Sequence, residues 1–308
     1  MLVNKDNLSR LFTGLNTIFN NAFSASSGNW QQTGMMVPSS SAIEDYGWLS
    51  RFPAMRKWQG DKYIKALKAG VYTVRNEDWE STIVVKRSDI EDDALGIYNV
   101  QAQMAGFSAA ELPDTISDQL KNDAFASVCL DGQYFYDTDH PVGRGVVSNK
   151  ITPQLSAENP TAALASYGLA RKTIMSFRDD EGQPLRLVPD VLEVPPALES
   201  VANTLMTTDK LEDNAPNPWR GTATVRVNPG LTNEKAWFLH VTNQPVKPFI
   251  FQQRKAPVFV SQVDMSADNV FMRGEYLYGT EARASGAYGF WQLSVGSDGT
   301  VDTTDSGG

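Results

Sequence analysis

Cysteine and histidine are scarce in this chain of 308 residues, which has one Cys and two His. A single cysteine excludes an internal disulfide and any zinc site built from several cysteines. No run of about 18 apolar residues occurs, so the sequence predicts no membrane-spanning helix. Basic residues are outnumbered, with 27 Lys and Arg against 36 Asp and Glu. The net charge of -9 argues against broad binding of nucleic acid, which needs a cationic surface.

The familiar catalytic motifs are also missing. The chain contains no G-x-S-x-G elbow, P-loop lysine motif, G-x-G-x-x-G loop or H-E-x-x-H pair. Asp137, Asp139 and His140 lie close together and could ligate a metal, although Asp and His before a proline are also common turn residues. His240 and Cys129 are expected to be buried structural residues. We therefore expect no enzyme and no cofactor, and keep a metal-dependent enzyme at the Asp137, Asp139 and His140 cluster as an alternative.

The first 45 residues predict an arm. Apolar residues recur at helical spacing in residues 1–21, with Asn4 or Asp6 placed to cap the helix. Residues 22–45 are rich in Ser, Gly and Gln and predict an extended segment with little core of its own. A helix followed by an extended strap often reaches onto a neighbouring molecule, and we expect this of the arm. The alternative is a surface helix packed on its own chain.

Residues 46–88 predict a basic ribbon. Two alternating stretches around a polar turn at residues 76–78 indicate a long β-hairpin. The segment from Arg51 to Arg87 holds nine Lys and Arg against four Asp and Glu, although the whole chain is acidic. The lysines either protect the exposed edges of a solvated ribbon or meet an acidic partner surface.

The remainder alternates helices and strands. Residues 89–128 predict a long helical spine that is capped by Asp89 and bent or broken near residues 106–113, with a new start at Pro113. A loop follows to residue 160, then a helix, strand and helix to residue 209 and a connector with one short strand. Residues 237–295 predict five strands, and the polar residues 296–308 predict an irregular tail. The strand predictions are WFLHV, PFIFQQR, VFVSQVD, NVFMRGEYLYG and GFWQLSV.

The order of these parts resembles the Hong Kong 97-type fold of tailed-phage major capsid proteins. Short blocks along the chain sharpen the resemblance to one family, the Mu-like phage major head subunits (gpT family). These blocks are YGWL at 46–49, FP at 52–53, DIEDDALG at 89–96, DGQ at 131–133, DHP at 139–141, VFMRGEYLYG at 270–279 and GAYGFWQLSV at 286–295. Residues 142–236 match the family less clearly.

The resemblance implies an α+β fold with the parts of a capsid subunit. These would be an N-terminal arm (1–45), an E-loop hairpin (46–88), a peripheral domain with the spine helix (89–159 and 237–295), an axial α/β domain (160–236) and a polar tail (296–308). It also implies self-assembly into hexamers and pentamers of an icosahedral head, which encloses double-stranded DNA without binding it specifically. The protein would assemble in the host bacterial cytoplasm and reside in the virion.

The resemblance implies further partners. A separate scaffold protein and a maturation protease are expected, because residues 1–45 are too short and too uncharged for a long coiled-coil scaffold. A decoration protein and a portal are possible additional partners. The alternatives are a non-viral shell of the same fold and another virion component, such as a tail or decoration protein.

In a thin shell, the arm and the hairpin of each subunit must be covered by neighbouring subunits. This expectation identifies candidate contact residues. Apolar side chains in the arm and hairpin would be covered by adjacent copies, and basic hairpin residues would face acidic residues that follow residue 90. The predicted contacts are Leu8, Phe12, Trp30, Trp58, Lys62, Tyr63, Lys65, Lys68, Trp79, Glu91, Asp92 and Asp93.

Overall fold

A computed structural model describes residues 3–50, 72–92, 96–156, 159–210, 216–264 and 266–301. The α-helices of this part of the chain are α1 (Lys5–Ala25), α2 (Arg87–Glu91), α3 (Gly96–Asp123), α4 (Pro160–Ser176), α5 (Glu199–Thr207) and α6 (Asp268–Arg273). The strands are β1 (Gly34–Pro38), β2 (Ile43–Asp45), β3 (Thr73–Arg75), β4 (Glu77–Lys86), β5 (His140–Val142), β6 (Gly145–Val147), β7 (Lys150–Pro153), β8 (Val191–Val194), β9 (Thr224–Val227), β10 (Trp237–His240), β11 (Phe249–Gln262), β12 (Glu275–Tyr288) and β13 (Ser294–Val301).

The first layer is a four-stranded sheet with the order β1-β11-β12-β4, against which α3 packs. The helix α1 lies on α3, as its apolar pattern requires, because Leu8, Leu11, Leu15 and Phe19 form one buried face. The predicted N-terminal helix is thus confirmed, and Asn4 caps it by accepting a hydrogen bond from the amide of Asn7 at 2.9 Å.

The second layer is a five-stranded sheet with the order β7-β13-β10-β8-β9. The helices α4 and α5 pack on this sheet, which confirms the predicted succession of helix, strand and helix. All four residues of β8 and of β10 are buried, because both strands lie in the interior of the sheet. The largest apolar core of the described residues lies around this sheet and extends to Phe249 and Tyr288 at the end of the first sheet.

The helix α3 runs without interruption, so of the predicted bend or break near residues 106–113 the break is wrong, as is the new helix start at Pro113. Pro113 lies inside the helix. At Gly106 an added Cβ would come within 2.4 Å of the carbonyl oxygen of Phe19, so the absence of a side chain lets α1 approach closely. Packing against α1 and the sheet therefore outweighs the local cost of a proline and a glycine in a helix.

Asp89 does not cap a helix as predicted. β4 passes directly into α2 at Arg87, whose amide donates to the carbonyl of Gly274 at 2.8 Å. Asp89 lies in the first turn of α2, and its carboxylate accepts a hydrogen bond from the hydroxyl of Tyr98. The carboxylate thus links the short helix to the start of α3.

The two strands beside the polar turn at residues 76–78 do not pair with each other. β3 is antiparallel to β2, with Ile43 opposite Arg75, whereas β4 is antiparallel to β12, with Lys86 opposite Glu275. The predicted pairing of these two stretches is therefore wrong, because alternation identifies a strand but not its partner. Residues 51–71 of the predicted hairpin lie outside the described residues.

Four predictions for the late part of the chain need correction. In GFWQLSV, predicted as a strand, Trp291–Leu293 form a 3-10 helix, and β13 begins only at Ser294. PFIFQQR and VFVSQVD belong to one strand, β11, whose pairing with β12 shifts register near Lys255. The stretch VFMR is in α6 rather than in a strand, and Gly274 ends this helix with a left-handed φ of 64°. The predicted irregular tail is wrong for residues 296–301, which belong to β13, and Gly296 and Ser297 pair with both β10 and β7. Residues 302–308 lie outside the described part.

β10 lies in the segment predicted to belong to the peripheral domain and pairs with β8, which lies in the segment predicted to be the axial domain. β13, the other neighbour of β10, begins at the end of the predicted peripheral segment and continues into the predicted tail. Among the described helices, none is both long and apolar enough to span a membrane.

Candidate assembly surfaces and the cluster around His140

The arm residues predicted to contact a neighbour are covered by their own chain. Leu8 is 1% exposed and Trp30 is 8% exposed. The partly buried ring of Phe12 stacks on Phe259, with the centroids 5.8 Å apart, and lies near Tyr278. In this arrangement the alternative of a helix packed on its own chain applies to α1, and Leu8 and Trp30 have little surface left for another molecule.

The predicted contacts of the hairpin lie mostly outside the described residues. This applies to Trp58, Lys62, Tyr63, Lys65 and Lys68, and also to the acidic residue Asp93. Trp79 is partly buried, and its indole N–H donates to the carbonyl oxygen of Ala284 at 3.2 Å. Glu91 pairs with Arg87 at 2.9 Å on the surface, and Asp92 is exposed at the end of α2. Pairing with Arg87 reduces the charge that Glu91 can offer to a basic partner.

The described residues carry two exposed apolar surfaces that the sequence did not single out. We call the first the helix stripe: Ile97, Val100, Met104 and Phe107 recur at helical spacing along α3 and are each more than half exposed. The second, the α6 tip, consists of Phe271 and Met272, which are 82% and 76% exposed. Large apolar side chains grouped on the surface in this way are typical of an interaction site.

The pattern of α3 contained a signal for the helix stripe. The buried side of α3 carries Tyr98, Ala102, Ala105 and Leu112, whereas the stripe lies on the opposite side. Within the described residues α1 and the first sheet both pack on α3, and the apolar residues of the stripe remain exposed on a face that neither of them covers. The α6 tip gave no comparable signal, because its residues were read as part of a strand.

The predicted cluster of Asp137, Asp139 and His140 does not form. His140 directs Nδ1 toward a carboxylate oxygen of Asp131 at 2.7 Å and Nε2 toward the amide oxygen of Asn149 at 3.0 Å. The Asp137 carboxylate instead accepts hydrogen bonds from backbone amides in its own loop. Asp139 is exposed. The imidazole thus belongs to a different group of residues, in which Cys129 also takes part.

The predictions that His240 and Cys129 are buried are confirmed. His240 in β10 bonds Ser294 at 2.8 Å through Nδ1 and Glu193 at 3.1 Å through Nε2. Burial lowers the pKa of this imidazole. Burial likewise raises the pKa of the Cys129 thiol, and Asp131 adds to that effect.

A buried ionic network joins the spine helix to the five-stranded sheet. Glu193 of β8 accepts from Lys121 of α3 at 2.8 Å and from Asn228 at 2.7 Å, and Arg226 of β9 lies 3.6 Å away. Burial alone would raise the pKa of Glu193, but Lys121, His240 and Arg226 together hold it well below its usual range. Burial lowers the pKa of Lys121, whereas Glu193 acts in the opposite direction. The network connects the two layers through paired charges.

The architecture is the Hong Kong 97-type fold of phage major capsid proteins. A chain of the procapsid of bacteriophage JBD30 is similar with a TM-score of 0.60 and 29% identity, and the match covers 98% of this chain and 78% of that chain. The model of one family, Mu-like prophage major head subunit gpT, matches residues 8–162, 153–231 and 228–306. The chain therefore belongs to the family of Mu-like major head subunits.

Two curated relatives agree with this assignment. The Mu-like prophage FluMu major head subunit of Haemophilus influenzae is 26% identical over 292 residues, covering 95% of this chain and 73% of the relative. The major capsid protein of Escherichia phage Mu is 27% identical over 301 residues, covering 98% of this chain and 76% of the relative. The chain is a structural protein of the phage head and not an enzyme, and its location is the virion.

Proposed function

We propose that this head subunit assembles into hexamers and pentamers of an icosahedral shell that encloses double-stranded DNA. The observation that carries the proposal is the apolar surface on the helix stripe and the α6 tip. Phe271 and Met272 expose large apolar side chains to water, which is unfavourable unless another molecule covers them. Further copies of the chain, repeated by symmetry, would cover these surfaces.

The shell would keep DNA inside without specific contacts. The net charge of -9 opposes tight binding to phosphates, so the packaged genome remains free to enter and leave. The basic residues are concentrated in residues 51–87, and we propose that Lys62, Lys65 and Lys68 meet acidic surface on an adjacent copy. Asp92, which is exposed at the end of α2, is a candidate for that surface. Such complementarity would set the register between copies more than their affinity.

The remaining partners follow from the family resemblance. A separate scaffold protein and a maturation protease would act during head assembly, and a decoration protein and a portal would complete the shell. In this proposal residues 46–88 serve as the E-loop that lies over a neighbour. The parts 1–45, 89–159 with 237–295, and 160–236 would serve as arm, peripheral domain and axial domain.

Assembly of variants tests the proposed role of the α6 tip. The double variant Phe271→Asp and Met272→Asp should fold normally but form shells poorly, because it places two carboxylates in an apolar contact. Negative-stain microscopy and sedimentation of the protein expressed with its neighbouring genes would measure shell yield, and circular dichroism would check the fold. The matched control replaces both residues by Leu and should keep shell formation. Normal shells from the Asp variant would contradict the proposed contact.

The proposed contact between the basic residues and an acidic partner surface is tested by separate variants in the same assay. Reversing Lys62, Lys65 and Lys68 to Glu should impair assembly most strongly at low salt, since ion pairs between exposed groups are screened as salt rises. Replacing the same three residues by Arg keeps the charge and serves as the control. Normal heads from the Glu variant at low salt would reject the acidic partner surface.

A further inference from the structure

Three side chains with metal-binding atoms converge in the loop that follows the spine helix. Cys129, Asp131 and His140 place a sulfur, a carboxylate oxygen and an imidazole nitrogen within 4.8 Å of one another. The thiol of Cys129 contacts one oxygen of Asp131 at 3.2 Å, and Nδ1 of His140 faces the other at 2.7 Å. Cys129 and His140 are buried, whereas Asp131 is partly exposed. The group therefore combines a largely enclosed site with one ligand that reaches solvent.

The orientation of Asn149 determines which nitrogen of His140 carries hydrogen. The side-chain amide of Asn149 donates to the carbonyl oxygens of Phe135 at 2.8 Å, Ser294 at 3.2 Å and Trp291 at 3.3 Å. Its oxygen must therefore face Nε2 of His140, which donates at 3.0 Å. Metal-binding histidines are commonly held in this way, by a hydrogen bond from the ring nitrogen that does not bind the metal.

With hydrogen on Nε2, a neutral His140 ring presents the bare lone pair of Nδ1 to the Asp131 carboxylate. Two acceptors 2.7 Å apart repel each other unless a cation lies between them. That cation is either a second proton on the ring or a metal ion. Tetrahedral zinc, with N and O ligands at about 2.0–2.2 Å, would separate these two atoms to roughly 3.3 Å. With sulfur at about 2.3 Å it would also hold the thiol roughly 3.6 Å from each of them, whereas the three atoms now lie within 4.8 Å of one another.

The surroundings suit a metal with an open coordination position. The ring of Trp291 stacks on His140 with the centroids 4.1 Å apart and closes one side of the site. A cavity of about 100 Å³, lined by Asp131, Asp179, Arg178 and Trp291 among others, opens beside the carboxylate. It has room for ordered water and is lined by Asp131 but not by Cys129 or His140, so water reaches the site from the side of the carboxylate.

We propose that Cys129, Asp131 and His140 bind one zinc ion, with a water molecule from this cavity as the fourth ligand. The ion takes the place of the thiol proton of Cys129 and of any proton between His140 and Asp131. Sulfur, nitrogen and oxygen ligands together favour zinc over calcium or magnesium, which prefer oxygen alone. The role is structural: the ion ties the turn after α3 to β5, which pairs with β6.

Metal analysis and cobalt spectroscopy of the unassembled full-length chain test this site. The protein purified without chelator should contain about one zinc per chain. The metal-free protein should develop the thiolate-to-cobalt charge-transfer band when Co²⁺ is added, and zinc should displace the cobalt. Metal binding should also change the fluorescence of Trp291, which stacks on a ligand. Because these readouts need no shells, the result is independent of the proposed assembly contacts.

Substitutions identify the ligands. Cys129→Ser, which keeps the shape of the side chain, should abolish the charge-transfer band and weaken zinc binding at least about tenfold. Asp139→Asn changes an exposed carboxylate in the same loop and should bind zinc like the unaltered chain. A metal-free protein that gives no charge-transfer band with Co²⁺ overturns the proposal, as does zinc binding of unaltered affinity in Cys129→Ser.

Discussion

Glu193→Gln tests whether the buried ionic network stabilises the junction between the spine helix and the five-stranded sheet. The substitution keeps the size of the side chain but removes the charge that faces Lys121 at 2.8 Å and Arg226 at 3.6 Å. Lys121 is fully buried, and its next carboxylate, that of Asp118, lies 3.9 Å away. A buried cation would thus lose its main partner.

The expected cost follows from this geometry. Breaking a buried pair by removing one charge typically costs about 3–5 kcal/mol, because the remaining charge is left without compensation. Lys121→Met should cost less, about 2 kcal/mol, since Glu193 keeps Arg226, His240 and Asn228 as partners. The double variant should be more stable than the sum of the two losses predicts, by about 1–3 kcal/mol, because the two residues interact directly.

Urea unfolding of the unassembled chain measures these differences in the free energy of unfolding. The matched control is Glu281→Gln, which breaks an exposed pair with Lys255 at 2.9 Å and should change stability by less than about 1 kcal/mol. A loss below about 1 kcal/mol for Glu193→Gln, or strictly additive losses in the double variant, would refute the reasoning.

The same network predicts a pH dependence. The pKa of Glu193 is lower in the folded chain than the usual value of about 4.3. Its contribution to stability is therefore complete above that value and is lost as the pH falls below it. In Glu193→Gln the free energy of unfolding should decrease less steeply as the pH falls below that value. A decrease as steep as in the unaltered chain would show that Glu193 is not the group responsible.

Two further predictions concern local structure. Gly106→Ala should destabilise the chain, because its Cβ would meet the carbonyl oxygen of Phe19 at 2.4 Å, whereas Gly14→Ala, with nothing within 4 Å, should stabilise it by about 0.5–1 kcal/mol. Thermal unfolding compares the two, and equal effects would contradict the close contact of α1 with α3. Hydrogen bonds from the amide of Ser41, the hydroxyl of Ser39 and the amide of Ser40 lower the pKa of Glu44 to about 2. An NMR titration should therefore find its carboxylate ionised at pH 3, and half-protonation near pH 4.5 would exclude these bonds.

Several elements were predictable because their causes are local. The spacing of Leu8, Leu11 and Leu15 predicts an amphipathic helix, and Asn4 is a residue type that caps helices. The runs in β8, in β10 and in the first part of β12, EYLYG, contain β-branched or aromatic residues and predict strands, whereas the rest of β12 was not predicted. The family resemblance rested on short blocks such as DGQ and DHP, and the match of the gpT family model confirms it.

Other features depended on which segments meet. The partners of β3 and β4 could not be read from alternation, since the same pattern suits a hairpin and two separate pairings. α3 continues through Pro113 because the close packing of α1 at Gly106 outweighs the cost of a proline in the helix. VFMR favours a strand by its composition but forms the end of α6. The left-handed conformation of Gly274 stops the helix directly after it.

By itself the sequence determined the composition-level properties of this head subunit: its acidity, its lack of catalytic motifs, its main helices and strands, and its family. Only the tertiary structure decided that His140 turns away from Asp137 and Asp139 toward Cys129, Asp131 and Asn149. It also decided that Lys121 and Glu193, 72 positions apart in the chain, form one buried pair. The physical reason is that helix and strand signals act over a few residues, whereas burial and pairing depend on contacts between distant segments.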